Sequence, residues 1–300
     1  MAPSPRRPLD APGFWLMVAL AMLFGANNLM IKLGNDGLQP VIFAGARSAV
    51  AALALGLWIW ARGIRLRLEL WGPGVLLGLC FTVEFLLLFV ALDQTTVVRA
   101  SSLFYAMPIW LALAAHVLFP GERLTPVRFA GFLLGFAGVV ITFAGRPDAL
   151  AGGSLWGDAA ALVAGMGWAA IVVVSRSTAI GNEPPEAQLF WQVLVSAVLL
   201  CAAAPLYGGP FVRDFNAFQA VLFLVQAIGV VTVGFVLWFW LIGRYQASTV
   251  ASFSFLTPAL SALLGWALLG EEVMATTPVA LALLIAGLVL INRRPRARAS

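Results

Sequence analysis

Ten apolar runs fill about two thirds of this chain, and each is close to the ~20 residues that carry a helix across a bilayer. They cover 14–33, 40–61, 71–92, 100–119, 126–143, 155–175, 187–206, 218–243, 248–269 and 277–292. The connections between them are too short for a soluble domain. Only 10% of the residues are charged, whereas a soluble domain carries roughly a quarter. Strands of a membrane barrel would be about half as long and would alternate in polarity, which these runs do not. The expected fold is all-α and integral to a membrane, with ten transmembrane helices.

The few charges follow the topology of such a bundle. If the N-terminus is cytoplasmic, thirteen arginines fall at helix ends on that side, among them Arg6, Arg62, Arg128, Arg244 and Arg293. Only Arg99, Arg146 and Arg213 fall on the other. That bias places both termini inside, with cytoplasmic tails at 1–13 and 293–300. It also removes nucleic acid as a partner, because the basic residues mark one membrane face rather than a binding surface. The first run has span length and no small-residue cleavage site close behind it, so it reads as a helix rather than a cleaved signal. Cys80 and Cys201 fall inside runs and read as small packing residues, and no cofactor or metal is expected. The expected location is a bacterial inner membrane, crossed many times.

The chain also repeats itself. Thr82-Val83-Glu84-Phe85 returns as Thr232-Val233-Gly234-Phe235, and Pro108 returns as Pro258, both at a spacing of 150. Phe24-Gly25 matches Trp168-Ala169 at 144, Pro40 and Arg47 match Pro185 and Gln192 at 145, and Gly121-Glu122 matches Gly270-Glu271 at 149. Two units follow, 14–145 and 155–292, each of five helices. Five is odd, so the second unit is expected upside down relative to the first, with a central cavity where they meet. Pro108 and Pro258 remove a backbone donor at corresponding points of the fourth and ninth helices and are candidate hinges. Gly74-x-x-x-Gly78 and Gly131-x-x-x-Gly135 predict close helix contacts.

These residues resemble the drug/metabolite transporter superfamily, in its ten-helix EamA type. The resemblance rests on Phe24-Gly25-Ala26-Asn27, on Arg47 after Pro40, on the fourth-helix proline followed by Gly121-Glu122, on the glycine-rich fifth helix, and on their echoes in the second half. It covers about 14 to 292. Within that family the chain looks most like the YddG-type aromatic amino-acid exporters. The resemblance implies a basket of two inverted repeats, with helices 1, 3, 4, 6, 8 and 9 lining a cavity through which small metabolites leave the cell. Phe24 stands where the family commonly has tryptophan, and Glu84 where a small or apolar residue is usual.

Ionisable side chains inside a bilayer are costly and mark function or pairing. At 1.5 Å per residue, Arg47 lies about 10 Å and Glu84 about 12 Å below the outer surface. Two readings stay open. One is a structural Arg47–Glu84 ion pair. The other puts Glu84 on the cavity wall, where it holds a substrate ammonium or exchanges a proton. Asn27 and Asn28 point about 100° apart at mid-helix, and Asn27 is expected to line the cavity. Tyr105, one turn before Pro108, and the deep aromatics Trp168, Trp238 and Phe253 are candidate walls for an apolar side chain or an ammonium group. His116 reads as an interfacial residue or a proton relay, and Lys32 as a side chain snorkelling to the surface.

An alternating-access transporter of small molecules accounts for these features best, as an exporter of aromatic or apolar amino acids. Proton-coupled efflux of cationic drugs is the alternative. An intramembrane enzyme is not expected, since H-E-x-x-H, G-x-S-x-G and a paired-Asp span are all missing from the sequence.

Overall fold

The computed structural model describes residues 9–95, 97–119, 124–144, 154–257 and 276–292. The chain enters its first helix, α1 (Ala11–Gly37), at Asp10, whose carboxylate accepts the Gly13 N–H at 2.9 Å. Pro12 occupies the first turn, where a missing N–H costs nothing. Extended backbone at Leu38 ends α1. The Gln39 side chain then accepts the Ile42 N–H and opens α2 (Pro40–Ala61). Next come α3 (Trp71–Gln94), the short α4 (Val97–Phe104), α5 (Met107–Leu118) and α6 (Pro126–Ala144). Ser154 caps α7 (Leu155–Ser177), and α8 (Pro185–Tyr207) follows. Asn216 caps α9 (Ala217–Leu224), which runs through a π-helical stretch, Val225–Gly234, into α10 (Phe235–Arg244). After α11 (Ala247–Ser252) and one 3₁₀ turn, the last described helix is α12 (Thr277–Asn292).

Six helical segments are long and apolar enough to cross a membrane: Ala11–Gly37, Pro40–Ala61, Leu68–Gln94, Leu155–Ser177, Pro185–Tyr207 and Ala217–Arg244. Met107–Leu118, Pro126–Ile141 and Pro278–Ile291 are shorter and apolar. Among the described residues there is no strand, only an isolated bridge between Leu38 and Val212. The chain is an all-helical, multi-pass membrane protein.

The fourth apolar run, expected as one helix over 100–119, is instead two. The break falls at Tyr105–Ala106. Pro108 offers no N–H and its ring would crowd the carbonyl four residues earlier, at Phe104, which is where α4 ends. Proline thus breaks the run a turn upstream of itself. The ninth run is described only to Thr257, so Pro258 lies outside the described residues.

Three pairs pack most extensively: α6 with α12, α3 with α7, and α2 with α8. The first pair meets backbone to backbone. A Cβ on Gly131 would stand 2.9 Å from the Gly287 carbonyl oxygen, and one on Gly287 would stand 2.6 Å from that of Gly131. Gly74 and Gly78 lie against Trp191 and Val195 of α8, so the paired glycines make the close contacts their spacing predicts.

The two ends of α1 are tied to the rest of the bundle by different means. At its start, Tyr245 donates its hydroxyl to Asp10 at 2.6 Å, Phe14 packs edge-on against Phe253, and Arg128 donates to Gln246. That tyrosine hydroxyl, with the Gly13 N–H, holds the Asp10 carboxyl below its ordinary pKa. At its far end, Arg213 grips Asp93 through both Nη atoms (2.7 and 3.2 Å) and also donates to the Asn35 carbonyl. The Asp93 carboxylate also accepts the Tyr207 hydroxyl and keeps the Arg213 guanidinium above its ordinary pKa. Gln39 donates to the Ala204 and Gly208 carbonyls, Gln219 to Leu33, Asn35 to Phe89 and Lys32 to Leu92.

Candidate functional site

A pocket with about 440 Å³ of empty space, its open mouth included, lies between these two ends, lined from α1 (Phe24, Asn27, Asn28), α3 (Glu84, Phe85, Leu88) and α7 (Trp168). The broken fourth run adds Phe104, Tyr105 and Met107, α10 adds Phe235 and Trp238, and Ser254 and Thr257 complete the wall. The walls are mostly aromatic: the Trp168 and Trp238 ring centroids are 4.8 Å apart, those of Phe24 and Phe235 5.2 Å, and those of Phe85 and Phe235 5.9 Å. A smaller cavity of about 250 Å³ shares Phe24, Trp238 and Ser254 with it and continues along Met17, Leu20 and Ala21 toward the start of α1.

Two polar atoms in this wall have no hydrogen-bond partner among the described residues: Oε2 of Glu84, a residue only 1% exposed, and Oδ1 of Asn27. Both are acceptors. Buried acceptors left unpaired cost free energy, so an arrangement of this kind is made for a donor that arrives. Glu84 stands where it does because α7 lacks a side chain at Gly167. A Cβ there would come within 3.2 Å of the Glu84 Cβ and 3.3 Å of its Cα. The crossing is therefore close enough to set Trp168, the next residue, beside the carboxylate.

Arg47 is fully buried and makes no direct ion-pair contact with Glu84, although the two side chains act on each other electrostatically at a distance. Its Nη1 donates to the Gln226 side-chain oxygen at 3.0 Å, and the Gln226 amide nitrogen donates to the Asn27 carbonyl at 3.3 Å. The guanidinium lies over the Phe85 ring at 4.3 Å and the Phe89 ring at 4.8 Å. Its Nε and Nη2 have no hydrogen-bond partner among the described residues.

Of the residues singled out in the sequence, the structure gathers Asn27, Glu84, Tyr105, Trp168 and Trp238 around one cavity. Asn28 joins them, although the 100° turn separates it from Asn27, because it bonds Ser101 of the broken fourth run at the cavity edge. The Tyr105 side chain bonds Thr257. Phe253 lines the adjoining smaller cavity, not this one. His116 is exposed at the end of α5, where its Nδ1 accepts the Leu124 N–H, and it is not part of the wall. Pro108 is buried at the start of α5. Lys32 does not snorkel freely: its ammonium caps the end of α3 at the Leu92 carbonyl, 2.7 Å away. Gln226 and Phe85 were not foreseen. Gln226 had a visible signal, an amide in the apolar run 218–243, whereas Phe85 had none beyond its place next to Glu84.

The chain belongs to the EamA-like transporter family, whose profile matches it twice, over residues 11–144 and 155–293. It is similar to the uncharacterized transporter YvbV of Bacillus subtilis, 26% identical over 94% of this chain and 92% of that one. It is also similar to a probable amino-acid metabolite efflux pump of Salmonella typhimurium, 24% identical over 92% of this chain and 93% of the relative. A solved crystal structure superposes with a TM-score of 0.77 at 22% identity, over 94% of this chain and 98% of the other, and so shares its fold. The chain is accordingly a membrane transporter.

Proposed function

We propose that this member of the EamA-like family exports small ammonium-bearing metabolites, foremost amino acids with aromatic or apolar side chains, and that it is not an enzyme. The observation that carries this is the unpartnered Glu84 carboxylate set into an aromatic wall. A carboxylate receives an ammonium through charge-assisted hydrogen bonds, while the Trp168–Trp238 pair receives the apolar side chain. The similarity to a probable amino-acid metabolite efflux pump supports the same substrate class.

The transport cycle in this reading is alternating access between two inverted five-helix units, ten spans in all, with both termini cytoplasmic. The repeat in the sequence, the two matches of the family profile and the arginine bias support it. Pro108 and Pro258 serve as hinges. The smaller cavity leads from the main one toward the cytoplasmic end of α1, the route by which a substrate enters for export.

Uptake of a labelled amino-acid panel into liposomes holding the purified protein tests the reading, with and without a pH gradient. Aromatic amino acids are expected to accumulate above protein-free liposomes, and Glu84→Gln is expected to cut that uptake about tenfold, one charge-assisted contact's worth. No transport of any amino acid would sink the substrate class. Gradient-driven uptake of an organic cation instead would establish the second reading, proton-coupled efflux of cations. Glu84 favours that reading in one respect, as the one carboxyl side chain among the described lining residues.

A further inference from the structure

We infer that Arg47 is the second half of the substrate site, screened from the cavity by the Phe85 ring, and that it binds the carboxylate of a zwitterion whose ammonium sits at Glu84. The inference rests on reading the cavity as an amino-acid site and assigns the group that recognises the other end of the molecule.

Three observations converge on it. Arg47 is 0% exposed, yet two of its donors, Nε and Nη2, meet no acceptor among the described residues. The rings of Phe85 and Phe89 satisfy its faces through cation–π attraction but leave its edge unmet. A buried guanidinium in that state lacks an anion in direct contact with it, since Glu84 acts on it only at a distance. Phe85 is also the residue next to Glu84, and its ring lines the cavity while lying against Arg47. One aromatic side chain therefore lies against a guanidinium with two open donors and lines a cavity whose wall holds an open carboxyl oxygen.

An α-amino acid carries the complementary pair on one carbon. Rotation of Phe85 out of the way would let both carboxylate oxygens reach Nε and Nη2, the fork geometry that guanidinium and carboxylate share. Gln226 holds Nη1 fixed meanwhile, so the fork is already oriented. A decarboxylated amine of the same shape could be held at Glu84 but has nothing to offer Arg47. Arg47 thus selects amino acids over amines.

The test is binding of L-phenylalanine and of phenethylamine, its decarboxylated counterpart, to the full-length protein in lipid nanodiscs. The wild type is expected to prefer the amino acid. Arg47→Gln should weaken L-phenylalanine about tenfold or more and leave the amine within about twofold, because a charge-assisted pair is lost only to the carboxylate. Phe85→Ala, which uncovers Arg47, should raise the preference for the amino acid. Equal weakening of both ligands by Arg47→Gln, or a preference that survives it, overturns the inference. Should Arg47→Gln fail to fold, an unchanged preference in Phe85→Ala overturns it alone. A wild type that binds the amine and not the amino acid also overturns it, while leaving the ammonium site at Glu84 intact. Binding of neither ligand takes down the reading of the cavity itself.

Discussion

The start of α1 and its end differ in how the bundle closes around them. The start is held by Asp10 to Tyr245, by an edge-on Phe14–Phe253 contact, and by Arg128 to Gln246 nearby. Around the end, bonds from Asn35, Gln39, Tyr207, Arg213 and Gln219 tie α1, α3, α8, α9 and the 208–213 loop together, with a two-pronged Arg213–Asp93 pair at the centre. Net hydrogen bonds contribute about 1 kcal/mol each, somewhat more when charged, so among the described residues the far end carries the costlier ties to part. The cavity extends toward the lightly held end. The difference teaches that, among the described residues, the empty space runs toward the end where the polar ties are fewer.

Three changes would break or sharpen that contrast. The largest effect is expected from Gln39→Ala at the dense end. It removes two bonds to α8 carbonyls and the cap on Ile42 from a fully buried side chain, about 3 kcal/mol together. Thermal unfolding in detergent should show a clear fall in Tm, and an unchanged Tm would mean the seal lies elsewhere. Asp93→Asn comes second. The pair is partly exposed, so solvent screening leaves about 1 kcal/mol. Hydrogen exchange at the Gln39 and Arg213 amides, which bond Phe211 and Gly37, should quicken about fivefold. The smallest effect belongs to the light end. The Asp10 carboxyl is held below its ordinary 3.8, so its contribution is fully present above that value and is lost as pH falls through the lower folded one. Between pH 5 and 8 it is therefore constant. Tyr245→Phe should remove most of the acid-range loss of protection at the Gly13 amide, once intrinsic exchange is corrected for. If Tyr245→Phe instead lowered Tm as much as Gln39→Ala, the asymmetry of the two ends would be wrong.

The spans were legible because a membrane helix must satisfy its backbone internally and cover itself with apolar side chains, and both demands leave long marks in a sequence. What the marks lack is phase. The 225–234 stretch carries only Gln226 and Thr232 as polar marks, and nothing in its pattern announces the π-helical widening. The same gap explains Arg47 and Glu84. Their depths agree, which suggested a pair, but depth is one coordinate and direction around the helix is another. Arg47 stacks on Phe85, the residue next to Glu84, and no spacing rule could have said so. Asn27, Trp168 and Trp238 were readable because they are polar or bulky at mid-span. His116 was singled out for its chemistry, and its place at a helix end puts it at the surface.

Gln226 gives the cavity a mechanical property. Its oxygen is held by Arg47 and its nitrogen holds the Asn27 carbonyl of α1, so one flat, stiff amide joins the two. A planar group cannot turn at one end and stay still at the other. Any anion that draws Arg47 inward would be felt as torque at the midpoint of α1, about half a helix from each of its ends. Occupancy of the site and the tilt of the helix that closes it would then be one motion, transmitted by a crank a single side chain long.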